Sequence, residues 1–248
     1  EGNTVEYCAD THTSAETLAG QGSYGIGVDE SLNVTIQNNT VANMGLLLNE
    51  DLTTFSPSGD VSAIGILTRN VTDVLVHGNH VSNASASGSG TAEAVFALYH
   101  NSGSSFGSLT VSDNFLSAAD SIWLLAESGT DDPDSFDLTG VALVSNTLTG
   151  TVNVEMSSGT PYTLTLDQLD ISRNIAQVSS NFSTVTVGDF CEASSLRFLS
   201  NRVTHTGSAG SVLTLTHESG STDTTQAVIT GNVVSGDSSD PAFDIDEE

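Results

Sequence analysis

Lysine is absent from this sequence of 248 residues, and its four arginines face 31 aspartates and glutamates, so the formal net charge is -27. Nucleic acids and anionic lipid surfaces are bound through lysine and arginine, and both are therefore excluded as partners. Polyuronate and sulfated glycans are excluded for the same reason, unless a divalent cation bridges the charges. Such a surface is typical of halophilic or marine exteriors, or of a compositional drift of the host genome. We predict an extracellular or cell-surface location.

Long apolar runs are also missing. No stretch approaches the roughly 18–20 apolar residues that a membrane-spanning helix requires, so no membrane span is predicted. Hydrophobic residues make up 37% of the chain, and there are only 4 prolines against 23 glycines. This hydrophobic fraction is low for a compact globule, but it suits an array in which each strand buries one face.

One octapeptide pattern occurs seven times along the chain, first at residues 34–41. It alternates apolar and polar residues, continues with small or polar residues and an asparagine, and ends on an apolar residue two positions later. The repeated asparagines are Asn39, Asn79, Asn114, Asn146, Asn174, Asn201 and Asn232. Their spacing ranges from 27 residues (174 to 201) to 40 residues (39 to 79), which is too irregular for a helical repeat and too short for a four-stranded propeller blade. It fits one solenoid coil with a loop of variable length.

A second segment with strand-like alternation follows each copy after a turn, as at residues 63–67, 94–98 and 121–125. We predict an all-β, parallel β-helix (solenoid) of about seven to eight coils over residues 22–248, with residues 1–21 as an N-terminal arm or cap. Asparagine tolerates the left-handed backbone region, and its amide can bond to neighbouring groups. Stacked coils would place the seven asparagines about 4.8 Å apart in a ladder at one turn.

The seven copies resemble the right-handed parallel β-helix superfamily, the pectate-lyase-like solenoids with an asparagine ladder at one turn. The resemblance covers about residues 25–248, and it implies the fold and no particular activity. Repeats such as residues 109–116 and 141–148, in a chain rich in Ser, Thr and Gly and without lysine, also look like the kinetoplastid surface proteins called the dispersed gene family. That second resemblance implies an extracellular β-helical glycoprotein that acts in adhesion.

Catalytic motifs of these folds are not found. A pectate-lyase-type site needs an arginine or lysine base beside clustered aspartates, and no such cluster accompanies the four arginines. A polygalacturonase-like site would show Asp-Asp and Gly-His-Gly on successive coils, and of these only Asp131-Asp132 occurs. His77, His80 and His100 fall near one turn, but zinc requires three or four converging ligands. We predict no catalytic residue, no metal site and no cofactor, with weak calcium binding at residues 131–137 or 237–248 as the one exception.

N-glycosylation is expected from the acceptor sequences, although a number of this order arises by chance in a chain so rich in Ser and Thr. The acceptor asparagines are Asn33, Asn38, Asn70, Asn83 and Asn181. Three of them, Asn70, Asn83 and Asn181, fall in expected loops or strand ends, where a secreted chain can carry glycans.

The functional hypothesis is a secreted or cell-surface, non-catalytic structural or adhesive solenoid. The open ends of a β-helix must be capped or paired. The chain is therefore expected to stack end to end as a filament subunit, or to be a segment of a longer repeat protein, with a glycan or cell-surface partner for adhesion. The alternative is a polysaccharide-binding or polysaccharide-degrading β-helix enzyme. Acids and aromatic residues clustered on one outward face of adjacent coils would favour this alternative.

Cys8 and Cys191 are the only cysteines. On the predicted stack their levels differ by roughly 20–25 Å, whereas a disulfide needs Cα atoms within about 7 Å. Either the N-terminal arm folds back along the stack, or the cysteines pair between chains, or both are free. We predict a disulfide formed in an oxidising exterior. The mass of the unreduced protein should lack the two thiol hydrogens, and two free thiols would contradict the prediction.

Overall fold

The predicted all-β parallel solenoid is confirmed by a computed structural model. The structure describes residues 2–6, 21–44, 47–48, 54–55, 61–82, 84, 91–100, 106–128, 136–158, 163–189, 191–217, 226–236 and 239–246. Within these ranges all regular structure is strand, and no helix suited to crossing a membrane is found.

Three parallel sheets form the body of the solenoid. Sheet 1 consists of β1 (Thr4–Glu6), β4 (Thr40–Ala42), β9 (His80–Ser82), β12 (Phe115–Leu116), β15 (Thr147–Leu148), β19 (Ile175–Val178), β23 (Arg202–His205) and β26 (Val233–Ser235). Sheet 2 consists of β2 (Gln21–Asp29), β7 (Val61–Arg69), β10 (Ala92–His100), β13 (Asp120–Ser128), β16 (Thr151–Ser158), β20 (Ser183–Val187), β24 (Leu213–His217) and β27 (Phe243–Asp246).

Sheet 3 has nine strands, two of which lie beside the main stack. The stack consists of β3 (Leu32–Gln37), β8 (Thr72–His77), β11 (Phe106–Ser112), β14 (Phe136–Val144), β18 (Leu169–Ser172), β22 (Ser195–Leu199) and β25 (Gln226–Thr230). The two others are β17 (Leu164–Leu166), which pairs with β14, and β21 (Cys191–Ala193), which pairs with β17. A separate antiparallel pair is formed by β5 (Leu47–Leu48) and β6 (Thr54–Phe55).

Each coil passes through sheet 2, then sheet 3, then sheet 1, and returns to sheet 2 one level higher. The octapeptide therefore spans the corner between sheets 3 and 1, with its asparagine between the two strands. The bend itself is made by the preceding residue, which has a positive φ at every copy: Asn38, Gly78, Asp113, Ser145, Arg173, Ser200 and Gly231. The repeated asparagine was expected to supply this left-handed conformation, but it occupies the next position.

Apolar columns from the three sheets fill the interior. In sheet 1 the register aligns Val41, Val81, Leu116 and Leu148, each at most 1% exposed. Gly65 marks a close approach between sheets, because a Cβ there would lie 2.4 Å from Val81 Cγ1. Each coil contacts only its neighbours, so the packing of apolar side chains within and between adjacent coils is the main source of stability in a solenoid.

The first strand of sheet 1 lies within the segment that was expected to be an arm or cap. β1 pairs with β4 in the register Thr4 to Thr40, so residues 2–6 extend the sheet by one strand. The division at residue 22 between an arm or cap and the solenoid stays a prediction. Residues 7–20 lie outside the described ranges.

Candidate functional site

The repeated asparagines form a continuous hydrogen-bonded column inside the corner. From each asparagine as far as Asn201, the backbone N–H and the side-chain Nδ2 both donate to Oδ1 of the asparagine one coil further along. At Asn114 these two bonds reach Asn146 Oδ1, and both measure 3.0 Å. The second amide hydrogen of Asn146 is donated to the carbonyl oxygen of Val111 at 2.9 Å. The structure thus brings together all seven predicted asparagines, from Asn39 to Asn232.

An eighth asparagine extends the column and was missed in the sequence. Both Asn3 N and Asn3 Nδ2 donate to Asn39 Oδ1, at 3.0 and 3.1 Å. The signal was the tetrapeptide at residues 2–5, Gly-Asn-Thr-Val, which matches Gly-Asn-His-Val at residues 78–81. It was overlooked because the match is limited to these four residues.

The other predicted side chains are scattered. Asn33, Asn38 and Asn70 adopt the left-handed backbone conformation, and Asn181 Oδ1 accepts from the backbone N–H of Ser211 at 2.8 Å. Asn83 lies outside the described residues, so glycosylation stays a prediction.

The predicted disulfide is not tested, because Cys8 falls outside the described ranges. Cys191 is buried, and its Sγ lies 3.5 Å from the carbonyl oxygen of Asp189. Residues 131–135, 237–238 and 247–248, which hold much of the acidic sequence considered for calcium, also lie outside the described part. Within that part, no three His, Cys, Asp or Glu side chains converge as a metal site would require.

The cationic side chains considered as bases contact neighbouring polar groups. The Arg69 guanidinium donates to both carboxylate oxygens of Asp29 and holds the pKa of that exposed carboxyl below its usual range. Arg197 lies 3.8 Å from Asp170. Paired in this way, neither arginine is positioned beside an aspartate cluster of the kind a lyase uses.

The outer face of sheet 2 carries an apolar patch that sequence reasoning did not single out. The register aligns Phe96 with Trp123, and their ring centroids lie 5.2 Å apart at 35°. Leu98 and Leu125 are aligned beside them. All four side chains are half-buried and alternate along the strands with fully buried core residues, so they face outward. A half-exposed aromatic pair on the outside of a sheet is a common element of binding surfaces.

The outward-facing row becomes polar one coil after Trp123. Continuing along the register from Trp123, the row runs through Asn153, Thr184 and Thr214. An open groove lies along this part of the face, and it is lined by Asp120, Thr151, Asn153, Ser180, Asn181, Thr184, Ala209, Gly210 and Asp240. Its side chains offer amide, hydroxyl and carboxylate groups. The groove is therefore a polar surface that adjoins the aromatic one.

Two carboxyl groups lie at the same register beside this row. Glu93 on β10 pairs with Asp120 on β13, and Glu93 is only 1% exposed. Burial raises the pKa of the Glu93 carboxyl, and the charge of Asp120 raises it further. Asp120 Oδ1 accepts from the Thr151 hydroxyl and, at 2.8 Å, from Asn153 Nδ2.

An acid with a raised pKa beside a second carboxyl group is the pairing that glycoside hydrolysis uses, but that reaction requires the acid to reach the glycosidic oxygen. Glu93 is closed off from solvent, and Asp120 is engaged by Thr151 and Asn153. This arrangement therefore suits ligand contact at the groove better than proton transfer to a bound sugar.

Comparison with protein family models, curated proteins and solved structures finds no match for this chain. The parallel β-solenoid architecture is established by the strands and their register. The resemblances to pectate-lyase-like proteins and to the kinetoplastid surface family stay predictions.

The buried carboxyl of Glu93 should make stability depend on pH. Its folded pKa lies above the unfolded value, so ionisation destabilises the folded chain. The penalty is complete above the folded pKa, shrinks as the pH falls through it, and vanishes below the unfolded value of about 4.3. We expect Glu93→Gln to unfold at higher urea concentration than the unsubstituted protein at neutral pH, with the difference vanishing near pH 4. Exposed Glu155→Gln is the control, and an equal gain from both variants would contradict the prediction.

Proposed function

We propose that the chain is a non-catalytic structural and adhesive solenoid of the cell exterior, and that it extends by stacking a second copy on its C-terminal coil. The observation that carries the proposal is the exposure of core-type residues on that coil. Val234, Phe243 and Ile245 are 42%, 38% and 46% exposed. They follow Val203, Leu213 and Leu215 in the register, which are exposed by no more than 3%. Positions that belong to the interior are thus open to solvent.

The strands of this coil also form the edges of their sheets in the described part of the chain. β25, β26 and β27 are the last strands of sheets 3, 1 and 2 in the described part of the chain. Edge strands of this kind template the addition of another strand, and burial of apolar area at the same end favours the same event. A second copy would cover the apolar side chains and pair with β26 and β27.

The N-terminal coil of a second copy has the matching features. Its Ile26, Val28 and Val34 are apolar, only partly buried, and packed against the core. The asparagine column has a direction, with donors pointing along the chain, so Asn3 of one copy presents the acceptor that would follow Asn232 of another. In that stack β1 would lie on β26 and β2 on β27. Because β25 precedes β26 in the coil and β3 follows β2, the junction leaves room for one further strand in sheet 3.

Charge supports an exterior location and sets the condition for assembly. Copies with a formal net charge of -27 repel each other, and salt screens that repulsion over a Debye length of about 8 Å at physiological ionic strength. Stacking is therefore expected to strengthen with ionic strength. A lysine-free acidic surface in which Ser and Thr are abundant fits the cell exterior, where salt is present.

Analytical ultracentrifugation over a range of protein concentrations in salt tests the proposal. The unsubstituted protein should associate as its concentration rises. The double variant Phe243→Asp/Ile245→Asp should stay monomeric, because two charges would enter the apolar junction at a cost of several kcal/mol.

Val228→Asp is the matched control. Val228 lies on the same coil and is 51% exposed, but it aligns with the outward-facing Arg197, so its side chain lies on the flank of the coil. This variant should associate normally. A monomer at every concentration in salt, or a double variant that associates as well as the unsubstituted protein, would contradict end-to-end stacking.

A further inference from the structure

We propose that the outer face of sheet 2 binds a neutral glycan chain, which stacks on Phe96 and Trp123 and continues along the polar groove at Asn153. This inference does not depend on end-to-end stacking, because the face lies on the flank of the solenoid. It concerns accessible side chains of β10, β13, β16 and β20.

An aromatic pair forms the centre of this face. Sugar rings carry apolar C–H faces and polar rims, so they are matched by a flat aromatic surface that adjoins hydrogen-bonding groups. Phe96 and Trp123 supply such a surface, extended sideways by Leu98 and Leu125. All four are partly accessible, and no other residue of the chain is a tryptophan.

The same row continues with polar side chains. Asn153 and Thr184 follow Trp123 at successive rungs of about 4.8 Å, and both line the groove. Amide and hydroxyl groups can donate to and accept from ligand hydroxyls. Asp120 adds a carboxylate at the groove, an acceptor for a pair of hydroxyl donors. A linear ligand that follows the row would meet an apolar contact first and hydrogen-bonding groups next.

The negative charge of the groove selects the class of ligand. The side chains that line the groove include two aspartates and no cation. A uronate or sulfate would be repelled there and by the net charge of -27. A neutral polyhydroxylated chain meets no such penalty. Among molecules with alternating apolar faces and hydroxyl groups, neutral glycans are therefore the class that this face fits.

Two unsatisfied polar atoms lie in the same region. Trp123 Nε1 and Glu93 Oε2 are buried and have no hydrogen-bond partner among the described residues. Leaving a buried donor or acceptor unpaired costs roughly 1–3 kcal/mol. Other buried atoms of this kind occur elsewhere in the described residues, among them Thr68 Oγ1 and Ser183 Oγ, so the pair does not by itself mark a site. Because both atoms are shielded from solvent, a ligand on this face would contact the accessible side chains around them.

The single tryptophan allows a direct test. Cello-, xylo-, manno- and chito-oligosaccharides are titrated into the protein while the emission of Trp123 is followed, with polygalacturonate as the anionic comparison. At least one neutral oligosaccharide should change the emission saturably, and polygalacturonate should not. Absence of a change with all four neutral series at millimolar concentration would overturn the proposal.

Matched variants locate the contact. Phe96→Ala and Asn153→Ala keep the tryptophan, and each should weaken binding about tenfold by losing stacking or a hydrogen bond. The control is Phe115→Ala, since Phe115 belongs to another half-exposed ring pair, with His80 on sheet 1, at 4.6 Å. Circular dichroism establishes that each variant folds. If one of the two variants does not fold, the other still tests the site. Equal weakening by Phe115→Ala would overturn the assignment of the site.

Discussion

Buried amide groups have to find hydrogen-bond partners inside the protein, and in this molecule they find them in one another. In its interior, the asparagine column satisfies both hydrogens of each side-chain amide and one backbone N–H per coil at the corner between sheets 3 and 1. A slip of one residue in any coil would remove an asparagine from the column and turn the apolar side chains outward. The column therefore fixes the register, and the register fixes which side chains make the core and which face solvent.

This dependence explains how much of the fold could be predicted from the sequence. The corner is local, so the octapeptide predicted the solenoid and placed Asn39 to Asn232 in equivalent positions. Asn3 was missed because only four residues around it match the octapeptide. The bend was assigned one position too late, since residues as different as Gly78 and Arg173 adopt the left-handed conformation there. The local pattern identifies the corner but not the residue that adopts the left-handed backbone conformation.

The outer face of sheet 2 could not be predicted for a different reason. Phe96 and Trp123 come from different coils joined by loops of different length, so their alignment depends on the register across coils. The pairing of Glu93 with Asp120 has the same origin, and the burial of Glu93 has no signature in a sequence where acids are abundant. Both functional proposals concern surfaces outside the column, namely the flank of sheet 2 and the exposed last coil.

The most direct test is the free energy of unfolding of column variants, measured by urea denaturation. Asn146→Ala removes the acceptor for Asn114 N and Nδ2 and two donors, all in buried surroundings, and should cost about 3–5 kcal/mol. Asn232→Ala, at the partly exposed end, should cost roughly 1–2 kcal/mol. If both variants lose the same small amount, below about 1 kcal/mol, the column does not determine the fold.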